Sequence, residues 1–234
     1  MKISTGHVEL DKWLQGGYES DIITTLYGPA GSGKSNLCMM AAVSQATRGK
    51  KVIYIDTEGG FSIDRLKQLA PIEAIKNIFL LKVTNFYEQR EAFNKLLELL
   101  KQDIALIIVD SMVMLYRLAL GEAAQEKDNE KAKAINRALV RQLRILNEIA
   151  RKKQIPVIIT DQVYSEFLSR EDFEAGKEKK VIMVGGDILR YWSKCIIELQ
   201  NIGYGKKKAI LRKHRSLPEK EFLFEITDKG IKAR

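Results

Sequence analysis

The segment GPAGSGKS, residues 28–35, constrains the fold of this chain more than any other part of its sequence. An apolar, β-branched run, DIITTLY, precedes the segment and an apolar helical stretch, NLCMMAA, follows it, so it joins a strand to a helix. Its glycines leave backbone N–H groups unobstructed, and the positive end of the following helix points to the same place. In this context the pattern G-x-x-x-x-G-K-[ST] predicts a loop that wraps a phosphate group.

We therefore expect a nucleotide at this loop. Lys34 would place its charge at the β- and γ-phosphates, and the Ser35 hydroxyl would ligate Mg²⁺. The alternative is an ordinary glycine-rich turn, which does not account for the Lys-Ser pair at the helix start. The predicted cofactors are ATP and Mg²⁺, and the predicted nucleotide-binding residues are Gly28, Pro29, Ala30, Gly31, Ser32, Gly33, Lys34 and Ser35.

Short apolar runs alternate with helical stretches over most of the chain. Continuous β-rich runs are typical of strands buried on both faces of a parallel sheet, and they occur at residues 21–28, 51–56, 77–83, 104–110 and 155–162. Apolar residues at spacings of three and four predict an amphipathic helix from Asn129 to Lys153. CIIELQ, KKAILRKH and EFLFEIT predict C-terminal antiparallel strands. We expect one α/β domain over residues 1–234, with a mostly parallel sheet flanked by helices.

Composition narrows the functional classes. The net charge of +9 is compatible with an anionic partner, either nucleic acid or an acidic protein surface. Cys38 and Cys195 are the only cysteines, and this number excludes a disulfide framework. Both lie in apolar runs, which predicts buried, reduced thiols. No apolar segment approaches the roughly 20 residues that span a bilayer. We expect a soluble, cytoplasmic protein without a membrane partner.

Carboxylates follow two further strand ends. Asp110 ends the run ALIIVD, where an α/β sheet presents its ligands, and it would hold Mg²⁺. The alternative is an aspartate that caps the next turn. In VIYIDTEGG, Glu58 is the candidate base that orients and deprotonates the attacking water, while Asp56 braces the turn. The alternative for Glu58 is a carboxylate that merely faces solvent.

Seven segments, in order, resemble the RecA-type recombinases, specifically the archaeal RadA and eukaryotic branch. They are ISTGHVELDKWLQGG, YGPAGSGKS, YIDTEGGF, IIVDSMVMLYR, ITDQV, VGGDIL and LPEKEFLFEITDKGI. The resemblance implies a RecA-type P-loop ATPase core and a function in DNA recombination and repair. The resemblance begins directly at this core, so we expect no N-terminal helical domain or linker of the kind by which RadA-type recombinases polymerise, and the sequence is similar to a short archaeal paralogue of RadA.

The resemblance supports the roles of Lys34, Ser35, Asp110 and Glu58, and it implies two more. Gln162, in ITDQV, matches the glutamine that links the γ-phosphate to a DNA-binding loop, so the implied catalytic residues are Glu58, Lys34 and Gln162. Arg65, in GGFSIDRL, matches an arginine expected near adenine, where its planar guanidinium can stack. On the residues alone, Gln162 is an ordinary strand-end amide and Arg65 a surface arginine.

The chain departs from the family where the family binds DNA. The first DNA-binding loop corresponds to Leu118–Asn129, in which Lys127 is the only basic residue. Since phosphate contact requires cations, DNA contact by this segment is doubtful. The second loop, from Tyr164, interleaves aromatics with the candidate DNA-binding residues Arg170, Lys177, Lys179 and Lys180, but it also carries five acids, and a solvated loop is the alternative.

Two other departures bear on function. Asp161 replaces the family's asparagine beside the glutamine, which puts an acid close to the expected phosphate and is expected to slow turnover. The segment YGKKKAILRKHR holds six cations without an intervening acid, and we predict a nucleic-acid surface there. The alternative is a charged edge strand that blocks aggregation. The six candidates are Lys206, Lys207, Lys208, Arg212, Lys213 and Arg215.

Two functional classes remain. The first is a weak, DNA-dependent ATPase, with single-stranded DNA preferred, that is an accessory to the main recombinase or to other recombination proteins and performs little strand exchange alone. The second is a nucleotide-switched module that docks a protein partner, with incidental hydrolysis. Self-association through another surface stays open in both classes. A signalling ATPase of the circadian-clock type fits the motif order less well.

Overall fold

The computed structural model of the chain describes residues 1–100, 103–165 and 181–234. In chain order the strands are β1 (Lys2–Ile3), β2 (Tyr18–Glu19), β3 (Ile23–Tyr27), β4 (Lys51–Asp56), β5 (Ile78–Lys82), β6 (Ile104–Asp110), β7 (Val157–Asp161), β8 (Val163–Ser165), β9 (Val181–Met183), β10 (Ser193–Asn201), β11 (Lys206–His214), β12 (Glu221–Thr227) and β13 (Gly230–Ala233). The helices are α1 (Val8–Trp13), α2 (Lys34–Ala46), α3 (Ile63–Leu69), α4 (Ile72–Ile75), α5 (Phe86–Leu99), α6 (Met114–Gln125), α7 (Asn129–Lys153) and α8 (Gly186–Trp192).

A nine-stranded sheet forms the centre of the molecule, in the order β13-β12-β11-β10-β3-β7-β6-β4-β5. Parallel pairing connects β10, β3, β7, β6, β4 and β5, and antiparallel pairing connects β10, β11, β12 and β13. The predicted α/β fold, with a mostly parallel sheet and C-terminal antiparallel strands, is therefore confirmed. Because parallel strands point the same way, the carboxyl ends of β3, β4, β6 and β7 share one edge of the sheet.

Helices cover both faces of this sheet and bury two apolar clusters. On one face, α5, α6, α7 and α8 contribute residues such as Phe93, Leu139 and Leu189. On the other face, α1, α2 and α3 contribute residues such as Leu10, Leu37 and Leu66. Strands covered on both faces read as unbroken apolar runs, and every residue of β3 is buried.

The clearest helix prediction is confirmed at both ends. The α7 helix spans Asn129–Lys153, and its buried residues follow the predicted apolar stripe. The Asp128 side chain accepts a hydrogen bond from the Lys131 backbone N–H at 2.9 Å, which caps the first turn. Gln154 ends the helix in the left-handed conformation, with φ of 55°.

Three expectations differ from the structure. The run at 77–83 was expected to be buried on both faces, but β5 lies at the sheet edge and is only partly buried. The segment Leu118–Asn129 was expected to be a loop, yet α6 continues to Gln125, because its apolar residues pack against α5 and α7. The short antiparallel pair β1–β2 was not predicted.

Candidate nucleotide site

Residues 28–35, called the P-loop here, connect the end of β3 to the start of α2, at the carboxyl edge of the sheet. A Cβ atom on Gly28 would lie 2.2 Å from the Leu199 carbonyl oxygen, so only glycine allows β10 to pass this closely. Gly33 precedes the helix with φ of 102°, a conformation that L side chains rarely adopt. The glycines therefore serve the loop geometry that phosphate binding requires.

A cavity of ≈ 260 Å³ opens beside the P-loop. It collects the residues that the sequence assigned to different strand ends, together with Ile226 from β12. The lining residues are Ala30, Gly31, Gly33, Lys34, Ser35, Asn36, Glu58, Gln162 and Ile226.

Lys34 lies at the base of this cavity with 6% of its surface exposed. Its ammonium donates to the carbonyl oxygens of Gly28 and Pro29, at 2.8 and 3.0 Å, and to Gln162 Oε1 at 3.3 Å. Three neutral oxygen acceptors thus hold the charge at the mouth of the loop.

Burial lowers the pKa of Lys34, because a charged amine is less well solvated there. The carboxylates of Glu58, Asp110 and Asp161 act in the opposite direction and favour the charged form. A buried lysine that faces a glycine cradle is suited to pair with an anion.

Gln162 connects the lysine to the candidate base. Its side-chain oxygen accepts from Lys34, and its amide nitrogen donates to Glu58 Oε2 at 2.9 Å. Glu58 itself is exposed at the end of β4. The structure therefore brings the three predicted catalytic residues into one hydrogen-bonded chain, although they are distant in sequence.

Asp110 is buried, with 2% of its surface exposed, at the end of β6. Tyr54 donates its hydroxyl to Oδ2 at 2.8 Å, and the hydroxyl of Thr160 donates to Oδ1. Burial, followed by the nearby Asp110 carboxylate, raises the pKa of Tyr54 and keeps this phenol protonated. Two hydroxyl donors thus fix the orientation of a carboxylate that lies at the expected metal side of the site.

The turn after β4 is organised by side chains. Asp56 accepts from the backbone N–H groups of Gly60 and Phe61, at 3.1 and 3.3 Å, so it braces the turn as predicted. Thr57 joins the ends of two strands: its hydroxyl donates to the Ser111 carbonyl at 2.8 Å and accepts from the Ser111 N–H at 2.7 Å. These bonds set the direction in which the chain carries Glu58.

Arg65, predicted near adenine, lies on α3 against the C-terminal hairpin. Its guanidinium donates to Asn36 Oδ1 at 2.9 Å and to the carbonyls of Asp228 and Gly230, both at 3.1 Å. Burial lowers its pKa, and Asp228 opposes that effect. Arg65 therefore fastens β12–β13 to α2, beside the cavity, and adenine stacking stays a prediction.

Asp161, the departure from the family's asparagine, is fully buried. Its two oxygens accept from the backbone N–H groups of Gln162 and Gly185, at 2.8 and 2.6 Å. Burial raises the pKa of Asp161 to about 7, against the opposing effect of these two hydrogen bonds. The acid is thus partly neutral near pH 7 and braces the start of α8.

Five of the six cations lie on β11, and Arg215 follows it; they are not a charged edge, because β11 pairs with both β10 and β12. The alternative of an edge strand protected by charge is therefore wrong. No acid intervenes within the segment itself, but neighbouring segments supply carboxylates to three of the cations. The ion pairs are Lys208–Glu221, Arg212–Glu198, Arg212–Glu219, Arg215–Glu19 and Arg215–Asp21.

The remaining three lysines differ from one another. Lys206 is exposed, and Lys213 donates to the Arg190 carbonyl at 2.6 Å. Lys207 donates to the carbonyl of Gly31, within the P-loop, at 2.7 Å. DNA contact by these residues stays a prediction. Four other DNA-binding candidates, Arg170, Lys177, Lys179 and Lys180, lie outside the described residues.

The described part of the chain gives little support for a metal cluster, a reactive thiol or a membrane span. No group of three or more His, Cys, Asp or Glu residues there is arranged to hold a metal ion. Cys38 and Cys195 are buried and unpaired, as predicted, and burial raises the pKa of Cys195 to about 12. Across the described residues, no helix is both long and apolar enough to cross a membrane.

The sheet order, the P-loop at the end of β3 and the acidic ends of β4 and β6 define a RecA-type P-loop fold. The Rad51 family model matches residues 1–234, and the chain belongs to the Rad51 family. The resemblance to RecA-type recombinases is therefore confirmed.

Within this family the chain is similar to proteins named DNA repair and recombination protein RadB. The protein from Methanobrevibacter smithii is 40% identical over 231 residues, covering 95% of this chain and 92% of that protein. The protein from Methanocaldococcus jannaschii is 38% identical over 225 residues, covering 95% of this chain and 98% of that protein. A crystal structure of the RadB recombinase matches with a TM-score of 0.76 and 37% identity, covering 98% of both chains.

Sequence reasoning missed several residues of the site. Tyr54 and Thr160 orient Asp110, and Thr57 ties together the ends of β4 and β6. No motif marks them, because their partners are set by the register of neighbouring strands. Strand-end position is the one available signal, since Thr57 and Thr160 lie within a residue of a strand end.

Proposed function

We propose that this protein is an ATP- and DNA-binding ATPase that hydrolyses ATP slowly and acts as an accessory in homologous recombination and DNA repair. The hydrogen-bonded chain Lys34–Gln162–Glu58 carries the proposal, because it joins the P-loop to a candidate base. The similarity to proteins named DNA repair and recombination protein RadB supports a role in recombination and repair.

The residues present fit ATP and Mg²⁺. Gly28 permits the close passage of β10, Gly33 adopts a φ of 102° before the helix, and Lys34 supplies a buried positive charge. Ser35 lies beside the turn after β4: a Cβ on Gly60 would be 3.3 Å from its hydroxyl oxygen. Ser35 and Asp110 would hold Mg²⁺, which retains several waters and so allows the buried carboxylate to act through one of them. When bound, the metal supplies charge neutralisation at the phosphates.

Each catalytic residue has a distinct role in this proposal. Glu58 orients the attacking water and accepts its proton, since it lies on the open side of the cavity. Lys34 stabilises the negative charge that develops on the transferred phosphoryl group. Gln162 changes partner when phosphate occupies the loop, because its amide can exchange Lys34 for a phosphate oxygen and so transmit occupancy to the segment that follows β7.

We place the DNA contacts on cations that form no ion pair with the described residues. Within the described residues, Lys206 and Lys213 fit this criterion better than the three cations that form ion pairs. We also propose DNA contacts for the four candidates outside the described residues, because the aromatics interleaved with them in the sequence favour single strands. The segment Leu118–Asn129 holds one basic residue, so we propose that it contacts DNA poorly and that this chain alone performs little strand exchange. We therefore propose the main recombinase or other recombination proteins as its partners.

Steady-state ATP hydrolysis with Mg²⁺ at low salt, with and without single-stranded DNA, tests the proposal. We expect slow turnover that DNA stimulates, and loss of about two to four orders of magnitude in Glu58→Gln, whose carboxamide cannot accept a proton. ATP affinity should be preserved in that variant. Unchanged turnover in Glu58→Gln would remove Glu58 as the base.

A second function is favoured by one observation. Asp161, buried beside Gln162, places an ionisable acid where the family has a neutral amide. A nucleotide-switched module that docks a protein partner would tolerate the slow hydrolysis this implies. Tight ATP binding with negligible turnover that DNA does not change would support this second function over the first.

A further inference from the structure

The hairpin formed by β10 and β11 touches the P-loop directly. Lys207 donates from Nζ to the Gly31 carbonyl at 2.7 Å and to Asn201 Oδ1, also at 2.7 Å. Asn201 in turn donates its side-chain amide to the Ala30 carbonyl at 3.3 Å. Two consecutive peptide groups of the P-loop are therefore bound by one pair of side chains from another part of the sheet.

The position of this pair is set by the backbone. Asn201 and Lys207 lie opposite each other in the antiparallel register of β10 and β11. At the other end of the loop, β10 passes Gly28 closely enough that a Cβ there would be 2.2 Å from the Leu199 carbonyl oxygen. The hairpin is thus packed along the loop, and Lys207 needs only its own side chain to reach it.

Strand alternation separates Lys207 from its neighbours. Ala209 and Leu211 are buried in the cluster beneath α2, and successive side chains of a strand point to opposite faces. Lys207 therefore shares the α2 face, where the P-loop lies, whereas Lys206 and Lys208 belong to the opposite face. Lys208 is paired with Glu221 at 3.0 Å, and Lys206 lies opposite Glu225 in the β11–β12 register.

We propose that Lys207 is a positioning residue of the nucleotide site and not part of a DNA surface. This inference rests on the proposed function, because it assigns the P-loop to a nucleotide. An ammonium group on the Gly31 carbonyl fixes the orientation of that peptide and polarises it, so the loop N–H groups stay directed at the phosphates. It also adds a second positive charge, besides Lys34, close to the polyphosphate.

The test compares the nucleotide affinity of the wild type with that of substituted variants, by titration with a fluorescent ATP analogue and competition by unlabelled ATP, ADP and adenosine. For Lys207→Ala we expect ATP and ADP to bind about tenfold more weakly, which is the lower end for loss of a hydrogen bond from a charged group. Adenosine affinity should not change, because adenosine has no phosphate. Lys232→Ala, at an exposed lysine of β13 that has no assigned role, is the control and should retain wild-type affinity, and Lys207→Arg should recover most of it.

Several outcomes would overturn the inference. One is ATP affinity within twofold of wild type in Lys207→Ala, combined with weaker binding of a single-stranded oligonucleotide, which would return Lys207 to the DNA surface. Another is an equal loss in Lys232→Ala, which would indicate a general charge effect. A third is a parallel loss of adenosine affinity, which would indicate distortion of the whole site. A fourth is wild-type ATP affinity in Lys207→Met, because this variant keeps the apolar stem and its loss of affinity is expected only if the ammonium is required.

Failure of the inference can be told apart from failure of the proposed function. Lys34→Ala is measured alongside, because its ammonium is buried in the P-loop. If Lys34→Ala binds ATP as tightly as wild type, the nucleotide site itself is wrongly placed. If Lys34→Ala abolishes binding while Lys207→Ala has no effect, the nucleotide site stands and only the role of Lys207 is refuted.

Discussion

At the scale of single residues, the site depends on buried polar groups whose partners fix both orientation and charge. Asp110 receives hydroxyl donors from Tyr54 and Thr160, and Asp161 receives two backbone N–H groups. Buried polar groups are costly to leave unpaired. Removing one of these donors should therefore affect both catalysis and stability, even though the donor itself does not contact the nucleotide.

Tyr54→Phe tests the orientation of Asp110. Loss of the hydroxyl leaves one carboxylate oxygen without its donor, so we expect the Mg²⁺ concentration for half-maximal ATPase activity to rise about tenfold. Tyr116→Phe is the matched control, because its hydroxyl bonds Asn136 on the surface, away from the P-loop. Mg²⁺ titrations of both variants at saturating ATP provide the measurement, and equal curves would show that Tyr54 does not orient the metal ligand.

Asp161 predicts a pH dependence of stability. Its pKa is raised to about 7 in the folded protein, from 3.8 for the exposed group, so between these values the folded state binds the extra proton. Stability is therefore lost as pH rises through this window and levels off above the folded pKa. Between pH 5.5 and 8 this group should lower the free energy of unfolding by about 2 kcal/mol.

The variant Asp161→Asn cannot ionise and should lack this contribution. We expect urea unfolding at pH 5.5, 7 and 8 to give a shallower decline with pH than for wild type. The variant starts from a lower stability, since an amide offers one oxygen where the acid uses two. Parallel pH profiles for the two proteins would show that Asp161 does not carry the raised pKa.

At the scale of elements, α7 shows why a helix could be predicted from the sequence at this position. Its 25 residues present one apolar stripe, and the buried members lie on that stripe.

Leu143, fully buried, should cost about 2–5 kcal/mol of unfolding free energy when changed to alanine. Val140→Ala, on the same helix but 42% exposed, should cost less than about 0.5 kcal/mol. Urea denaturation compares them, and similar losses would contradict the assigned helix face.

Other elements were less predictable, for identifiable reasons. The apolar run of β5 resembles that of a central strand, and only the sheet order reveals that it lies at an edge. The turn residues of Leu118–Asn129 are few, yet the family's loop was expected there and α6 continues through most of it. Lys207 appeared to be one of six equivalent cations, and its P-loop contact depends on the β10–β11 register, which one sequence does not disclose.

At the scale of the whole molecule, the net charge of +9 is distributed unevenly. Lys208, Arg212 and Arg215 are neutralised by carboxylates from neighbouring segments. A cation that is already paired releases few DNA counterions, because binding DNA must first displace its carboxylate. The location of acids around β11, more than the number of lysines along it, should therefore determine which face of the molecule attracts DNA.

The salt dependence of DNA binding tests this distribution. For the double variant Lys206→Ala/Lys213→Ala we expect the slope of log K against log salt to become shallower by about 1.4, since each phosphate contact on a single strand contributes about 0.7. The single variant Lys208→Ala should leave the slope nearly unchanged, because its ammonium is engaged by Glu221. Binding of a single-stranded oligonucleotide is measured by fluorescence anisotropy at several salt concentrations. If Lys208→Ala flattens the slope as much as the double variant does, paired and unpaired cations contribute alike and the proposed surface must be extended along the whole of β11.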